Sequence, residues 1–164
     1  MIANDPWGTH IRPATAADVA DFDAAHLTMP QTSWTAADFA TELTVDESRM
    51  WLLELRAQGG ATWAVGGVLC YRVMLPDVEL MQIAVATGLR RHGLGGQLMA
   101  HCATQVRAAG ATRIHLDVRA DNSAAIRLYE RYDFVIVGRR RAYYRDGADA
   151  LLMDRVLEGG PPIA

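Results

Sequence analysis

Glycine and arginine crowd one short stretch, Gly88-Leu89-Arg90-Arg91-His92-Gly93-Leu94-Gly95-Gly96, and that combination is suited to binding an anion. Glycines at 93, 95 and 96 let the backbone approach a ligand closely. A helix that begins there aims amide N–H groups and a partial positive charge at the ligand. Arg90 and Arg91 add fixed positive charge at the lip, which suits a pyrophosphate. The spacing is not Gly-x-Gly-x-x-Gly, so the dinucleotide fingerprint is not met. The plainer alternative is a strand-to-helix turn with its arginines on the solvated side. All 16 basic side chains are arginine. Without lysine there is no Walker phosphate loop, no Schiff base and no lysine nucleophile. Cys70 and Cys102 form no Cys-x-x-Cys pair, and His10, His26, His92, His101 and His115 show no ligand spacing, so no metal is expected.

The elements that must position this stretch follow from periodicity. Residues 78–85 form an apolar run ahead of it and read as a strand. Beyond it, Leu94, Leu98, Cys102 and Val106 recur every four residues, the stripe of a helix that Gly110 stops. Upstream, residues 9–13 read as a short strand. Thr15-Ala16-Ala17-Asp18 and Thr35-Ala36-Ala37-Asp38 have capping-box spacing. The first box opens a helix to about His26, the second a helix with Phe39 and Leu43 on one side. Residues 50–55 and 62–73, separated by Gln58-Gly59-Gly60, read as two antiparallel strands. Downstream come a strand at 112–119, a helix capped by Asp121 or Asn122 and running to about Tyr132, and strands at 134–140 and 150–157. The sum is an α/β domain on a mixed, mostly antiparallel sheet of about six or seven strands with about four helices. Residues 1–8 and 158–164 are expected as flexible tails around a single domain at 9–157.

Arg90-x-x-Gly93-x-Gly95, following Ile83-Ala84-Val85, resembles the acyl-CoA signature of the GNAT acetyltransferase superfamily. The segment from Leu116 through Asp117, Arg119, Asp121-Asn122-Ser123 and Leu128-Tyr129-Glu130 is similar to the second half of a GNAT domain of the RimI type. Arg139-Arg140-Arg141-Ala142-Tyr143-Tyr144, then Asp149-Ala150-Leu151-Leu152-Met153, resemble that branch's closing pattern, and Ser33-Trp34-Thr35 is a further echo. The matches run in order from about residue 11 to residue 157. The resemblance implies a GNAT fold whose central parallel strands splay. It also implies transfer of acetyl from acetyl-CoA to the α-amino group of a protein, in bacteria a small-subunit ribosomal protein. Acetyl-CoA would be a co-substrate, its pantetheine along Ile83, Ala84 and Val85. Its diphosphate would rest on Arg90, Arg91, Gly93, Gly95 and Gly96.

The resemblance assigns the general base to Asp117, a CoA contact to Asn122 and the general acid to Tyr129. Asn122 and Tyr129 stand two helical turns apart and share a side. Strand alternation sets His115, Asp117 and Arg119 on one face. The RimI branch usually has glutamate at the position of Asp117, so the shorter side chain favours a bridging water. A carboxyl of ordinary pKa ~3.9 lies ~4 units below an α-ammonium. Either burial raises the Asp117 pKa or the carboxylate orients water that carries the proton. Glu79 and His115 are the alternative bases, and the non-catalytic role for Asp117 is an ion pair with a nearby arginine such as Arg119. Tyr129 could equally be an ordinary core tyrosine. Asp133 stands where the pattern has glycine before Phe134, so it must accept a left-handed backbone. Tyr143 and Tyr144, with residues 29–34 including Trp34, are expected to wall the acceptor channel, and Glu79 to face the acceptor. Trp7, Trp51 and Trp63 read as packing residues, Cys70 and Cys102 as small core residues, and His26 and His101 as surface residues.

Formal net charge is −3, which argues against general attraction to nucleic acid or anionic lipid. With 51% apolar residues and no run of about 20 of them, a membrane span is not expected. The start of the chain lacks a basic segment followed by an apolar one, so a cytoplasmic location is expected. The expected partner is the N-terminal peptide of a protein, with the chain a monomer or weak dimer. Rival readings are a GNAT acting on a small-molecule amine or an internal lysine, a noncatalytic acyl-CoA-binding module, and an RNA-binding protein using Arg139-Arg140-Arg141.

Overall fold

The computed structural model describes residues 7–24 and 34–157. The expected tails beyond these limits, His26 and residues 29–33 lie outside the described residues. Seven strands, β1 (Trp7–Pro13), β2 (Ser48–Ala57), β3 (Ala64–Met74), β4 (Asp77–Val85), β5 (Arg113–Arg119), β6 (Val135–Arg140) and β7 (Ala150–Val156), are ordered β1-β2-β3-β4-β5-β7-β6. Four α-helices accompany them: α1 (Val19–Ala24), α2 (Ala36–Glu42), α3 (Leu94–Ala108) and α4 (Ser123–Glu130). The chain gathers into two compact units, one holding the residues up to Tyr71 with Gln82–Ala100, the other Arg72–Met81 with the residues from His101 on.

In the first unit β1 begins at Trp7, two residues earlier than expected. β2 is long enough to pair Trp7 with Ala57 and Gly8 with Arg56. Both capping boxes are present. The Asp18 carboxylate accepts from the Thr15 N–H at 2.7 Å and its hydroxyl at 2.8 Å, and Asp38 treats Thr35 the same way at 2.6 and 2.7 Å. Phe22 and Phe39 from the two helices meet edge to face at 4.5 Å, both fully buried. Asp18 also holds Arg12, which reaches Glu54 as well, tying β1, the turn before α1 and β2 together. Two adjacent glycines in β3 let neighbours close in. A Cβ at Gly66 would strike Leu55 and Leu89, and one at Gly67 would crowd Leu98 and the Ala84 carbonyl.

In the second unit β4 and β5 run parallel, pairing Asp77 with Arg113, Val78 with Ile114 and Glu79 with His115. β7 is antiparallel to both β5 and β6. Along β5 the alternation is clean: Ile114, Leu116 and Val118 are buried, whereas Arg113, His115, Asp117 and Arg119 are not. Gly110, with φ of 88°, ends α3. The apolar stripe of that helix is buried at Cys102, Ala103 and Val106 in this unit, as it is at Leu94, Leu98 and Met99 in the first. Both cysteines are core residues, and burial pushes the Cys102 thiol up to about 12.

Candidate active site

The glycine and arginine stretch lies in the first unit. After Val85 the chain makes a 3-10 turn at Thr87–Leu89, and the guanidinium Nε of Arg90 folds back to donate to the Val85 carbonyl at 3.2 Å. Arg91 and Gly93 take left-handed backbones, with φ of 67° and 78°. That reversal aims the chain straight into α3. Gln97 N–H bonds the Gly93 carbonyl, so Gly93 is the cap, and the amides of residues 94–96 precede the first internal hydrogen bond of the helix. Gly95 and Gly96 put no Cβ over that end, and Arg90 and Arg91 are exposed beside it. Such a glycine-rich helix start with two guanidinium groups beside it suits a diphosphate. Ile83 and Val85 are half-buried and Ala84 is buried. His92 stacks edge to face on Trp7 at 4.9 Å.

The second unit carries Asp117, Asn122, Tyr129, Tyr143 and Tyr144. Asn122, and not Asp121, caps α4, its Oδ1 accepting from the Ala125 N–H at 3.1 Å. Tyr129 is buried at 7% exposure, its ring 5.7 Å from that of Phe134. Burial, with Tyr144 and Cys102 adding to it, raises its phenol well above the ordinary tyrosine value. Glu79 is half-buried beside His115 across the parallel pair.

Asp117 makes the arginine ion pair that is its alternative role, with a different arginine from Arg119. Asp117 is exposed, because β5 turns its odd-numbered residues away from the buried face. Its partner is Arg140, whose Nη1 donates to Asp117 Oδ2 at 2.6 Å, and not Arg119. Arg119 instead spans Asp121 and Asp146, both at 2.9 Å, and lies over the Tyr144 ring at 4.8 Å. Arg140 lies 5.3 Å from the ring of Tyr143. The two tyrosines meet edge to face at 5.2 Å. Asp149 completes the loop, accepting from the Ala142 N–H at 2.8 Å and pairing with Arg139 at 2.6 Å. The segment from β6 to β7 is thus pinned around the carboxylate of β5 by ion pairs and ring contacts.

The sequence profile of the acetyltransferase (GNAT) family matches residues 17–134. The chain belongs to the GNAT acetyltransferase family. Among curated relatives, the ribosomal protein bS18 alanine N-acetyltransferase of Escherichia coli K12 is 40% identical over 85 residues, which cover 50% of this GNAT chain and 57% of that protein. An N-alpha-acetyltransferase of Saccharolobus solfataricus is 39% identical over 96 residues, 58% of each chain. This chain thus spans little more than half the length of the curated relatives it matches. The crystal structure of the ribosomal-protein-S18-alanine N-acetyltransferase from Escherichia coli superposes with a TM-score of 0.77 at 27% identity, covering 96% of this chain and 99% of that one.

Other sequence-derived candidates in this GNAT chain have plain structural surroundings. Trp34 tilts against Phe39 at 5.1 Å, next to the Phe22 contact. Trp51 donates to the Tyr71 hydroxyl at 3.2 Å, and Arg56 covers Trp63 at 4.6 Å. His101 is half-buried, a correction to its surface reading, and burial lowers its imidazole pKa. Its neighbours Cys102 and Ala103 lie on the buried stripe of α3, and that carries His101 partly under cover. Among the described residues no cluster of three or more His, Cys, Asp or Glu side chains is arranged for a metal, and no helix is long and apolar enough to cross a membrane. Sequence reasoning missed Arg140 as a site residue. It lies 23 residues from Asp117, on a strand that is not adjacent to β5. The only available signal was its place beside the Tyr143-Tyr144 pair.

Proposed function

We propose that this protein transfers the acetyl group of acetyl-CoA to the N-terminal α-amino group of a protein, by direct attack of the amine on the thioester. What carries the reading is its likeness to the bS18 alanine N-acetyltransferase of Escherichia coli, over half the chain in sequence and nearly all of it in fold. A small-subunit ribosomal protein with an N-terminal alanine is the acceptor we favour. In this reading the diphosphate rests on Arg90, Arg91, Gly93, Gly95 and Gly96, with the pantetheine along Ile83, Ala84 and Val85. Asn122 uses Oδ1 to cap α4, so its Nδ2 is the atom offered to the coenzyme. Glu79, Tyr143 and Tyr144 of the second unit are assigned to the approach of the peptide, and Trp34 of the first unit is kept as a separate candidate for acceptor binding.

The chemistry assigned to Asp117 is reception of the amine. With Asp117 exposed, the water route is the one left: the carboxylate orients a water that takes the proton from the incoming ammonium, and the freed amine nitrogen then bonds to the thioester carbon. Collapse of the tetrahedral adduct breaks the carbon–sulfur bond, the second proton of the nitrogen passes through water to the departing sulfur, and Tyr129 hydrogen-bonds that sulfur. A thiol has a pKa of ~8.5 against ~10 for a free phenol, and burial widens that gap for Tyr129. Hydrogen bonding to the thiolate, not full proton transfer, is therefore its contribution.

Mass spectrometry of alanine-initiated peptides incubated with acetyl-CoA tests the reading. The native chain should add one acetyl group to the free amino terminus and none to a blocked one. Asp117→Ala should lower kcat about a hundredfold or more, and Tyr129→Phe by about ten- to a hundredfold, both with the KM for acetyl-CoA within twofold. Acetylation of blocked peptides at internal lysine would move the assignment to a lysine or small-amine acetyltransferase. Unchanged turnover in Asp117→Ala would transfer the base to Glu79 or to water. The Arg140 ion pair on Asp117 favours one rival, a noncatalytic acyl-CoA-binding module, which would be stabilised by the coenzyme and acetylate no amine.

A further inference from the structure

We propose that Arg140 is a displaceable counter-ion of Asp117, and hence a residue that sets how tightly the acceptor amine binds. The proposal rests on the reading of Asp117 as the group that receives that amine. Guanidinium and α-ammonium are both cationic donors, and Oδ2 of the Asp117 carboxylate already accepts from Arg140 at 2.6 Å. The amine must either displace the guanidinium or share the carboxylate with it. Displacement is cheap, because the two side chains are 50% and 29% exposed and ion pairs in contact with water are weak.

The released guanidinium has somewhere to go. It already lies 5.3 Å from the Tyr143 ring, and a cation over an aromatic face keeps part of its stabilisation. Arg119, on the same face of β5, cannot take over the role, since Asp121 and Asp146 both hold it. Of the other charged or titratable groups on that face, His115 and Glu79 stand side by side across β4 and β5, and Asp154 faces His115 from β7. Burial first, and the Asp117 charge after it, raise the phenol of Tyr144. Arg140 is thus the cation bonded to Asp117 in this surface, and it comes from a strand end that can let it move.

A counter-ion of this kind and an orienting residue differ in steady-state kinetics. With an alanine-initiated peptide of free amino terminus, Arg140→Gln should lower the peptide KM about fivefold, leaving kcat and the acetyl-CoA KM within twofold. Arg140→Lys keeps the charge and should retain a KM close to that of the native chain. In an Asp117→Asn background, Arg140→Gln should give no gain. A peptide KM that is unchanged or raised in Arg140→Gln overturns the proposal, as does an equal fall in Arg140→Lys or a gain that persists without the Asp117 charge. A wild-type kcat in Asp117→Asn alone strikes the base assignment instead. The dependence of the Arg140 effect on that carboxylate is then still read from the same four-variant cycle. Thermal melting of each variant separates these outcomes from loss of fold.

Discussion

At the scale of single residues, backbone strain is localised and open to measurement. Asp133, Arg91 and Ala142 adopt left-handed backbones, with φ of 62°, 67° and 48°. An L-residue held there is strained by about 1 kcal/mol, somewhat less for aspartate, whose short polar side chain tolerates the region. The Asp133 side chain is 84% exposed and its nearest cation, Arg155, is 3.8 Å away, so little is lost with it. Asp133→Gly should therefore stabilise the protein by about 0.5–1 kcal/mol, seen as a rise of about 2–3 °C in Tm. This strain was legible in the sequence, because aspartate stands where the family pattern has glycine. The bend at Arg91 was not, since arginine has no preference for that region and the neighbouring glycines gave sufficient reason for a turn. Nor was the Arg140 partner of Asp117 legible, because an ion pair that reaches over an intervening strand leaves no periodic trace.

At the scale of elements, short-range rules translated directly into structure. Thr15 and Thr35 stand three residues ahead of aspartates, and both boxes close as that spacing requires. Strand ends were less visible. β1 gains Trp7 and Gly8 only because β2 extends far enough to pair with them, a tertiary effect. The loop between β6 and β7 is an element whose order depends on charge. Hydrogen bonds from Arg119 hold the carboxyls of Asp121 and Asp146 below the usual carboxylate range, and the Ala142 N–H, then Arg139, do so for Asp149. Folded values below the unfolded ones mean that the carboxylates' support is complete above the ordinary carboxylate pKa and drains away as pH falls through the lowered values. From about pH 5 to about pH 3, amide exchange at Ala142 and Ala148, corrected for intrinsic rates, should accelerate more than exchange in β5. Asp146→Asn should show part of that acceleration already at neutral pH. Equal protection of the loop at both pH values would mean that ring contacts alone order it.

For the whole molecule, charge sets which partners are excluded. The run Arg139-Arg140-Arg141 reads as basic, yet Arg139 pairs with Asp149 and Arg140 with Asp117. With two of three arginines paired to carboxylates and a net charge of −3, nucleic acid meets little positive surface. Fluorescence anisotropy with a single-stranded RNA at about 150 mM salt should give a Kd weaker than about 0.1 mM, beyond the usual nonspecific range. Micromolar affinity would revive the RNA-binding reading. The strand order was only partly legible: alternation and turns gave the strands, but β7 sits between β5 and β6 through pairings that no local pattern encodes. The buried cysteines have a practical consequence. Cys70 and Cys102 are fully enclosed, and burial holds the thiol of the latter far on the protonated side, so the folded chain offers no reactive sulfur of its own. A chromogenic disulfide reagent added during turnover would colour only with coenzyme released by acyl transfer, giving a continuous assay that needs no cysteine-free variant.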